Sequence, residues 1–255
     1  MSDEKSLKYN EPWILQRADP YVYRHTDGSY YFTASVPAYD GIVLRRAGTL
    51  AELSGAEEVM VWKKHESGPM SYHIWAPEIH YLFGKWYIYF AGGEAEDIWK
   101  IRPYVLECSG DDPLTDEWVE LGKMKRAAED EFSFEAFSLD ATVFENKGEY
   151  YYVWAEKVGV GKMISNLYIA KMESGNQLKT VQILLTTPDY DWERKGFWVN
   201  EGPAVIHHDG KMFLTYSASE TGVDYCVGML SIDEDADILD PRLWKKERYP
   251  VLKTC

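Results

Sequence analysis

Short apolar and aromatic runs separated by polar turns recur along the whole chain and predict β-hairpins. In each hairpin, an opening run is followed by a turn that contains a glycine and then by a second run such as SYYFTAS or KWYIYFAG. Aromatic and β-branched runs bounded by such turns are typical of strands. A third and a fourth apolar run follow every hairpin, for example IVLRRAG and EEVMVWKK after the first. Long stretches with a 3.6-residue apolar period are missing from the sequence, so we expect little helix.

The same four-run unit occurs four times, which predicts a repeat protein. Its copies open near residues 18, 76, 139 and 201, and their turn glycines, which are 56, 64 and 62 residues apart, are Gly28, Gly84, Gly148 and Gly210. Four strands per repeat at a long, regular spacing are typical of a β-propeller. We therefore predict one all-β domain over residues 1–255, with four four-stranded blades. A large β-sandwich is the alternative fold.

Proline stands at or near the start of the opening run in three copies, as Pro20, Pro77 and Pro203. Because proline cannot donate a hydrogen bond to a sheet, it is confined to edge strands, first residues or bulges. The opening strand of each blade is therefore predicted to be an edge strand that lines the central axis.

An acidic residue stands near the start of every opening run, and in a propeller these residues would converge on the axis; they are Asp19, Glu78, Asp140 and Glu201. Any one of them alone is equally well explained as a turn residue. Carboxylates that lie close together push their proton affinities apart, so that one stays ionised while another stays protonated. Glycoside hydrolysis requires such a pair of acid and base.

The composition bears on partners and compartment. A net charge of −15 disfavours nucleic acids and anionic membranes, whose phosphates would repel the chain, and no apolar segment has transmembrane length. Aromatic residues make up 15% of the chain, which suits a sugar-stacking surface as well as packing between blades. Three cysteines, and a polar N-terminal segment without the apolar stretch of a signal peptide, predict a cytoplasmic protein.

Local motifs give no support to metal or serine-nucleophile chemistry. The segment DEDADI from Asp233 begins like an EF-hand loop, but Ile238 replaces the glycine of the turn and Trp244 the bidentate glutamate. The sequence also lacks the Gly-x-Ser-x-Gly, HExxH and CxxC patterns. We predict no metal ligands in this chain.

Four segments resemble glycoside hydrolase family 43, particularly its α-L-arabinofuranosidase branch: ADPYVYRHTDGSYYFTAS, HIWAPEIHYLFGKWYIYFAGG, SLDATVF and GFWVNEGPAV. The resemblance extends from about Tyr9 to the C-terminus. It implies a propeller of the five-bladed type and hydrolysis with inversion. By motif, it makes Asp19 the general base that activates water and Glu201 the general acid. Asp140 would raise the proton affinity of that acid and hold it in position.

Four further residues are predicted to contact the substrate. Trp75, Phe137 and Trp198 flank the matching motifs and are candidates for the walls of a sugar pocket. Each of these aromatic residues is equally well explained by packing between blades. Glu78 would hydrogen-bond sugar hydroxyls or serve the structure alone.

Members of this family continue into a fifth blade, which carries a histidine near the axis, often beside a bound metal ion. No segment here matches that blade, so we predict that the chain binds no cofactor with its own ligands; an axial metal ion would find its ligand elsewhere. An open ring would leave an exposed edge, and exposed edges pair with other chains. Self-association, or a second chain that completes the propeller, is therefore expected.

The resemblance predicts an enzyme that removes terminal α-L-arabinofuranosyl residues from arabino-oligosaccharides or arabinan by an inverting acid/base mechanism. β-Xylosidase and endo-arabinanase activities are alternatives, because the same three carboxylates serve them all. A contrasting interpretation is a non-catalytic, sugar-binding propeller fragment. Substitution of Glu201 by glutamine separates these classes, since only an enzyme would lose turnover.

Overall fold

The computed structural model describes residues 12–160 and 162–253. The polar N-terminal segment on which the predicted compartment partly rests lies outside these residues. In the described part, helix is confined to three short 3₁₀ segments, Ala51–Ser54, Asp191–Glu193 and Pro241–Leu243, and the remaining regular structure is β-strand. None of the described helices is long and apolar enough to cross a membrane. The predicted all-β class is confirmed.

The first two repeats form separate four-stranded antiparallel sheets whose strands follow chain order. Blade 1 consists of β1 (Ala18–Arg24), β2 (Tyr30–Ser35), β3 (Gly41–Ala47) and β4 (Val59–Lys63). Blade 2 consists of β5 (Tyr72–Leu82), β6 (Lys85–Glu94), β7 (Asp97–Cys108) and β8 (Val119–Lys123). All four predicted runs of both repeats are therefore strands.

The third and fourth repeats also begin with three antiparallel strands, but their outer strands are short. Blade 3 consists of β9 (Ser138–Asn146), β10 (Glu149–Val160) and β11 (Lys162–Ser174), with β12 (Gln177–Leu178) and β13 (Ile183–Thr186) paired to β11. Blade 4 consists of β14 (Trp198–His208), β15 (Lys211–Ala218) and β16 (Cys226–Asp233), with β17 (Lys245–Lys246) and β18 (Leu252–Lys253) paired to β16.

The sequence predicts the fourth strands of these two repeats as the runs TVQILLT from Thr180 and LWKKERYPVLK from Leu243. Both predictions were too long, and specific residues explain why. In blade 3, the side chain of Thr180 accepts the hydrogen bond of the Lys171 amide at 3.0 Å, in place of a backbone carbonyl. In blade 4, Pro250 separates β17 from β18, and proline has no amide hydrogen to donate to a sheet.

Three hydrophobic clusters lie between neighbouring blades and hold them together. Tyr31 of blade 1 packs on Trp86 of blade 2, with ring centroids 4.8 Å apart. Tyr89 of blade 2 packs on Tyr152 of blade 3 at 5.5 Å, and Tyr216 lies in the mainly aliphatic cluster between blades 3 and 4. Because a large aromatic side chain buries about 150–250 Å², the packing interpretation accounts for many of the aromatic residues.

The first strands of successive blades contact one another, as β1 with β5, β5 with β9, and β9 with β14. In blades 1 and 2 the first strand is the edge of its sheet, as the prolines predicted. β14 differs because the long β10–β11 hairpin reaches across to it: Ile164 and Ser165 pair in parallel with Trp198 and Val199. Blades 3 and 4 are thus one continuous sheet.

Candidate active site

The first strands of the four blades each have a bulge at the same place, where two residues of the first strand lie opposite a single residue of the second strand. In each bulge one residue has a left-handed backbone, with φ values of 50°, 46°, 50° and 57° at Asp19, Ala76, Asp140 and Gly202. The left-handed region costs an ordinary L-residue roughly 1–2 kcal/mol, although aspartate tolerates it better than most residues. Bulges and backbone strain of this kind occur often at functional sites.

The bulges correct the predicted equivalence of the four acids. Asp19 and Asp140 occupy the same left-handed position, so these two are equivalent. Glu201 precedes the left-handed Gly202 by one residue, and its counterpart in blade 2 is Trp75. Glu78 follows the left-handed residue of its strand and lies one layer deeper. The acids therefore come from three positions of the repeat.

Asp19 is held by a contact between two blades. The Ser35 hydroxyl donates to Asp19 Oδ2 at 2.8 Å, and the Ala76 amide donates to Ser35 Oγ at 2.8 Å. This chain links the left-handed residues of blades 1 and 2 through one side chain. Asp19 is exposed, so water reaches its carboxylate.

Asp140 and Glu201 are half-buried and are tied to the same short segment of β14. The Gly202 amide donates to Asp140 Oδ2 at 3.1 Å, and the Tyr225 hydroxyl donates to Glu201 Oε1 at 2.9 Å. Asp140 is therefore bonded to the backbone immediately after Glu201, so that the two carboxyl groups keep a fixed relation.

The pKa values of both carboxyl groups lie above their ordinary range. Burial is the main cause for Asp140, followed by the negative charges of Glu201 and Asp19. Burial also raises the pKa of Glu201, and the Asp19 charge adds to this, whereas the Tyr225 hydrogen bond and the Lys157 charge oppose it. Burial and the repulsion among these carboxylates thus favour the protonated forms of Asp140 and Glu201, which is the direction that a group that protonates a leaving oxygen requires.

Asp19, Asp140 and Glu201 open into one pocket of ≈ 610 Å³. The three aromatic residues predicted from the flanking sequence, Trp75, Phe137 and Trp198, line the same pocket. Glycine at position 202 suits the left-handed backbone there, because a side chain would be strained at a φ of 57° although its Cβ would be in ordinary contact with Ser217 Oγ at 3.4 Å. Six of the seven predicted site residues are therefore brought together.

Glu78 is the exception, because it is not among the residues that line the pocket. Its Oε2 lies 2.9 Å from His80 Nε2, and burial raises the pKa of its carboxyl group. The geometry therefore favours a structural role for Glu78, which belongs to a buried polar cluster one layer beneath the three carboxylates of the pocket. The expected contact with sugar hydroxyls does not fit its position.

The residues present do not fit an axial metal ion. The second ring nitrogen of His80 lies 3.4 Å from the Tyr21 hydroxyl, so both nitrogens have partners. Within residues 12–160 and 162–253, no group of three or more His, Cys, Asp or Glu side chains is arranged to hold a metal. No catalytic step is therefore assigned to a metal here.

Several further pocket residues escaped prediction from the sequence; they are Tyr39, Trp99, Lys157, Phe197 and Tyr225. Each comes from a loop or from the end of a strand, outside the repeated opening motif. Only its position next to Trp198 could have indicated that Phe197 lines the pocket, and no sequence motif indicated this for Lys157 or Tyr225.

A propeller whose first strands bring an exposed carboxylate and two carboxyl groups of raised pKa into one aromatic pocket has the architecture of a glycosidase. Comparison with known families agrees with this class. The profile of "Glycosyl hydrolases family 43" matches residues 9–254, and the chain belongs to this family. The predicted family, the enzyme class and a carbohydrate substrate are thereby confirmed.

Similar proteins carry related names. The chain is 48% identical over 243 residues to an extracellular exo-α-(1→5)-L-arabinofuranosidase of Streptomyces chartreusis, covering 95% of this chain and 72% of that protein. It is 48% identical over 249 residues to a protein of the same name from Streptomyces avermitilis, covering 98% of this chain but 50% of that protein. The crystal structure of an α-L-arabinofuranosidase from Lactobacillus brevis is 51% identical, with a TM-score of 0.87, and the match covers 96% of this chain and 76% of that one.

These names overturn the predicted compartment. Both Streptomyces relatives are named extracellular, so the cytoplasmic prediction was wrong. It relied on the cysteine count and on the polar N-terminal segment; the described cysteines, Cys108 and Cys226, are free and buried. Disulfides are needed mainly by small secreted domains, whereas a large core such as this one is stable without them. The cysteine count therefore carried no information about the compartment.

Proposed function

We propose that this chain is an exo-acting α-L-arabinofuranosidase that removes terminal α-L-arabinofuranosyl residues from arabino-oligosaccharides or arabinan. The observation that carries the proposal is the convergence of Asp19, Asp140 and Glu201 in one pocket lined with aromatic side chains. The names of the relatives, two of which are exo-α-(1→5)-L-arabinofuranosidases, support this substrate and exo action. The chain spans about half of the second relative, so the activity of a whole protein of that length belongs to the proposal as well.

In this mechanism Glu201 is the general acid. The raised pKa favours the protonated form of Glu201, which delivers its proton to the glycosidic oxygen as the bond to the anomeric carbon breaks. Tyr225 orients the carboxyl group through Oε1, which leaves the other oxygen for the substrate.

Asp19 is the general base. It accepts a proton from a water molecule that attacks the anomeric carbon from the face opposite to the leaving group, so that the configuration inverts. Its exposure gives that water access, and Ser35 fixes one carboxylate oxygen. Inverting enzymes need about 6.5–9.5 Å between acid and base, because a water molecule lies between the base and the sugar.

Asp140 acts through its neighbour. Its Oδ2 accepts from the amide of Gly202, which fixes the backbone at Glu201, and the repulsion between the two carboxylates favours the protonated acid. Trp75, Phe137 and Trp198 form the walls against which the terminal sugar packs.

Two substrates with different leaving groups test these roles. With arabinotriose, whose leaving oxygen needs a proton, Glu201→Gln should lower kcat/KM by about 10²–10⁴-fold. With 4-nitrophenyl α-L-arabinofuranoside the loss should be much smaller, because nitrophenolate leaves without a proton, whereas Asp19→Asn should be severe with both substrates. Glu220→Gln, at another carboxylate of the same pocket, is the matched control.

The products distinguish the alternatives. We expect arabinose as the only product formed from the chain end, first in the inverted configuration by proton NMR. Release of internal oligosaccharides would indicate an endo-arabinanase, and faster turnover of 4-nitrophenyl β-D-xylopyranoside a β-xylosidase. Full activity of Glu201→Gln on arabinotriose would refute the assigned acid. Sugar binding without turnover by the folded wild-type chain would support the non-catalytic interpretation.

A further inference from the structure

Lys157 is a half-buried cation in the wall of the pocket that the proposed mechanism leaves without a role. Its Nζ lies 3.7 Å from the centroid of the Phe137 ring. In the described part of the chain no carboxylate forms an ion pair with it, although a chain of this net charge offers many. A lysine that gives up full hydration without an ion-pair partner indicates a specific electrostatic role.

The backbone fixes Lys157 between the two strands that carry Asp140 and Glu201. Its amide donates to the Phe137 carbonyl at 2.9 Å, just before β9. Across the hairpin it pairs with Ser165, which in turn pairs in parallel with Val199 of β14 and donates to the Asn200 carbonyl at 3.3 Å. The β10–β11 hairpin therefore places Lys157 in the wall of the pocket that it shares with Asp140 and Glu201, where its charge interacts with that of Glu201.

The aromatic surface under the ammonium group is also fixed. The buried carboxylate of Glu156, which precedes Lys157, accepts the amides of Phe134 and Ala136 at 3.0 and 3.1 Å. It accepts the Trp154 indole N–H at 2.9 Å as well. These bonds hold the loop that leads to Phe137, so the ring cannot move away without breaking them.

The charged and titratable groups around Glu201 come from several elements; they are Asp19 on β1, Asp140 on β9, Lys157 on β10, Tyr225 after β15, and Glu220 at the rim. Lys157 carries the positive charge of this set. Two other cations nearby, Lys162 and Arg194, lie over the Trp198 ring and do not line the pocket.

We propose that Lys157 is a positioning residue that acts through Glu201: its charge limits the repulsion among the three carboxylates and so sets the upper pH limit of turnover. The proposal rests on the proposed function, because it takes Glu201 as the acid. Burial lowers the pKa of Lys157 and the Glu201 charge raises it, so the two groups interact in both directions.

The sign of the effect follows from this interaction. A positive charge beside Glu201 favours its ionised form and lowers its pKa. The acid works while it is protonated, so activity falls as the pH rises through its pKa. Removal of the Lys157 charge should therefore move the alkaline limb of the profile of kcat/KM against pH to higher pH.

The profiles are measured with arabinotriose for wild type, Lys157→Met, Lys157→Arg and Lys171→Met. We expect Lys157→Met to move the alkaline limb upward by on the order of several tenths of a pH unit, while Lys157→Arg keeps the wild-type limb. Lys171→Met makes the same chemical change in the same hairpin, at an ion pair with Glu149 outside the pocket, and should leave the profile unchanged.

A titration of the Glu201 side chain by carbon-13 NMR, which needs no turnover, separates this inference from the proposed function. If wild type does not hydrolyse arabinotriose, the proposed function fails, while a rise of the Glu201 titration midpoint in Lys157→Met still supports the electrostatic role. An unmoved midpoint, or an equal shift in Lys157→Arg, would overturn it. So would a raised KM with an unmoved limb, which would make Lys157 a sugar ligand. Lys157→Gln replaces the methionine variant if that variant does not fold.

Discussion

Glu193 lies at the centre of a buried hydrogen-bond network that ends next to Glu201, the proposed catalytic acid. Its carboxylate is fully buried and receives five donors. The amides of Asp189 and Tyr190 donate to Oε2 at 2.9 Å, and Lys246 Nζ lies 2.8 Å from both carboxylate oxygens. On the other oxygen, the Asn200 side-chain amide donates at 3.0 Å and the Tyr216 hydroxyl at 2.9 Å. Asn200 directly precedes Glu201, so we predict that Glu193→Gln impairs both stability and catalysis.

The size of the effect follows from the donors. Glutamine offers one acceptor oxygen and places an NH₂ group against donors on the other side, so at least two buried donors lose their acceptor, at about 1–3 kcal/mol each. The charge of Lys246 is only partly compensated afterwards, by Asp189. Together these losses correspond to about 3–5 kcal/mol of unfolding free energy, or a fall of about 6–20 °C in Tm for a chain of this size.

Urea unfolding gives the free energy, and kcat is measured well below the unfolding temperature of the variant. Tyr216→Phe is the matched control inside the network, because it removes one donor, leaves the carboxylate with four others and should cost about 0.5–1.5 kcal/mol. Glu149→Gln makes the same chemical change at an exposed ion pair and should have little effect.

Two results would refute this reasoning. If Glu193→Gln unfolds within about 1 kcal/mol of wild type, the network contributes no more than an ordinary hydrogen bond. If it unfolds early but keeps the wild-type kcat at low temperature, the network does not hold Asn200 and Glu201 in place.

Two further predictions concern the carboxyl pair and the assembly. Asp140→Asn removes the negative charge beside Glu201, so the pKa of Glu201 should fall. The alkaline limb of the pH profile measured with arabinotriose should then move to lower pH, with a reduced kcat. An unchanged limb would show that Asp140 does not influence the pKa of Glu201. Self-association stays a prediction, supported by the half-exposed apolar residues Phe213, Val227 and Met229 on β15 and β16 of blade 4. Light scattering after size-exclusion chromatography tests it, and a monomer mass at all concentrations would count against it.

The fold could be predicted from the sequence because its signals are local. Every blade begins with a hairpin whose turn contains a glycine at positive φ, namely Gly28, Gly84, Gly148 and Gly210. Apolar and aromatic runs on both sides of these turns define the first two strands of each repeat, and a third apolar run defines the next one. The outer strands of blades 3 and 4 were overestimated, because apolar composition alone does not show where a side chain such as Thr180 takes the place of the backbone.

The candidate site could be predicted only in part. Asp19, Asp140 and Glu201 stand in the repeated opening runs, which the period of the chain identifies. Lys157 and Tyr225 lie in segments that differ from blade to blade, and they reach the acid through tertiary pairing. The parallel pairing of Ser165 with Val199 connects blades 3 and 4, and no short-range sequence pattern predicts that these two segments lie side by side.

The bulges explain how acids from different positions of the repeat meet in one pocket. In a regular strand, neighbouring side chains point to opposite faces, so acids offset by one residue would diverge. Here the consecutive residues Ala18 and Asp19 both line the pocket, and so do Leu139 and Asp140. The extra residue in each bulge therefore turns two successive positions toward the same space. One position is used by Asp19 and Asp140, and the preceding one by Glu201. The left-handed residue after Glu201 is Gly202, which adopts this conformation without strain, and its amide holds Asp140.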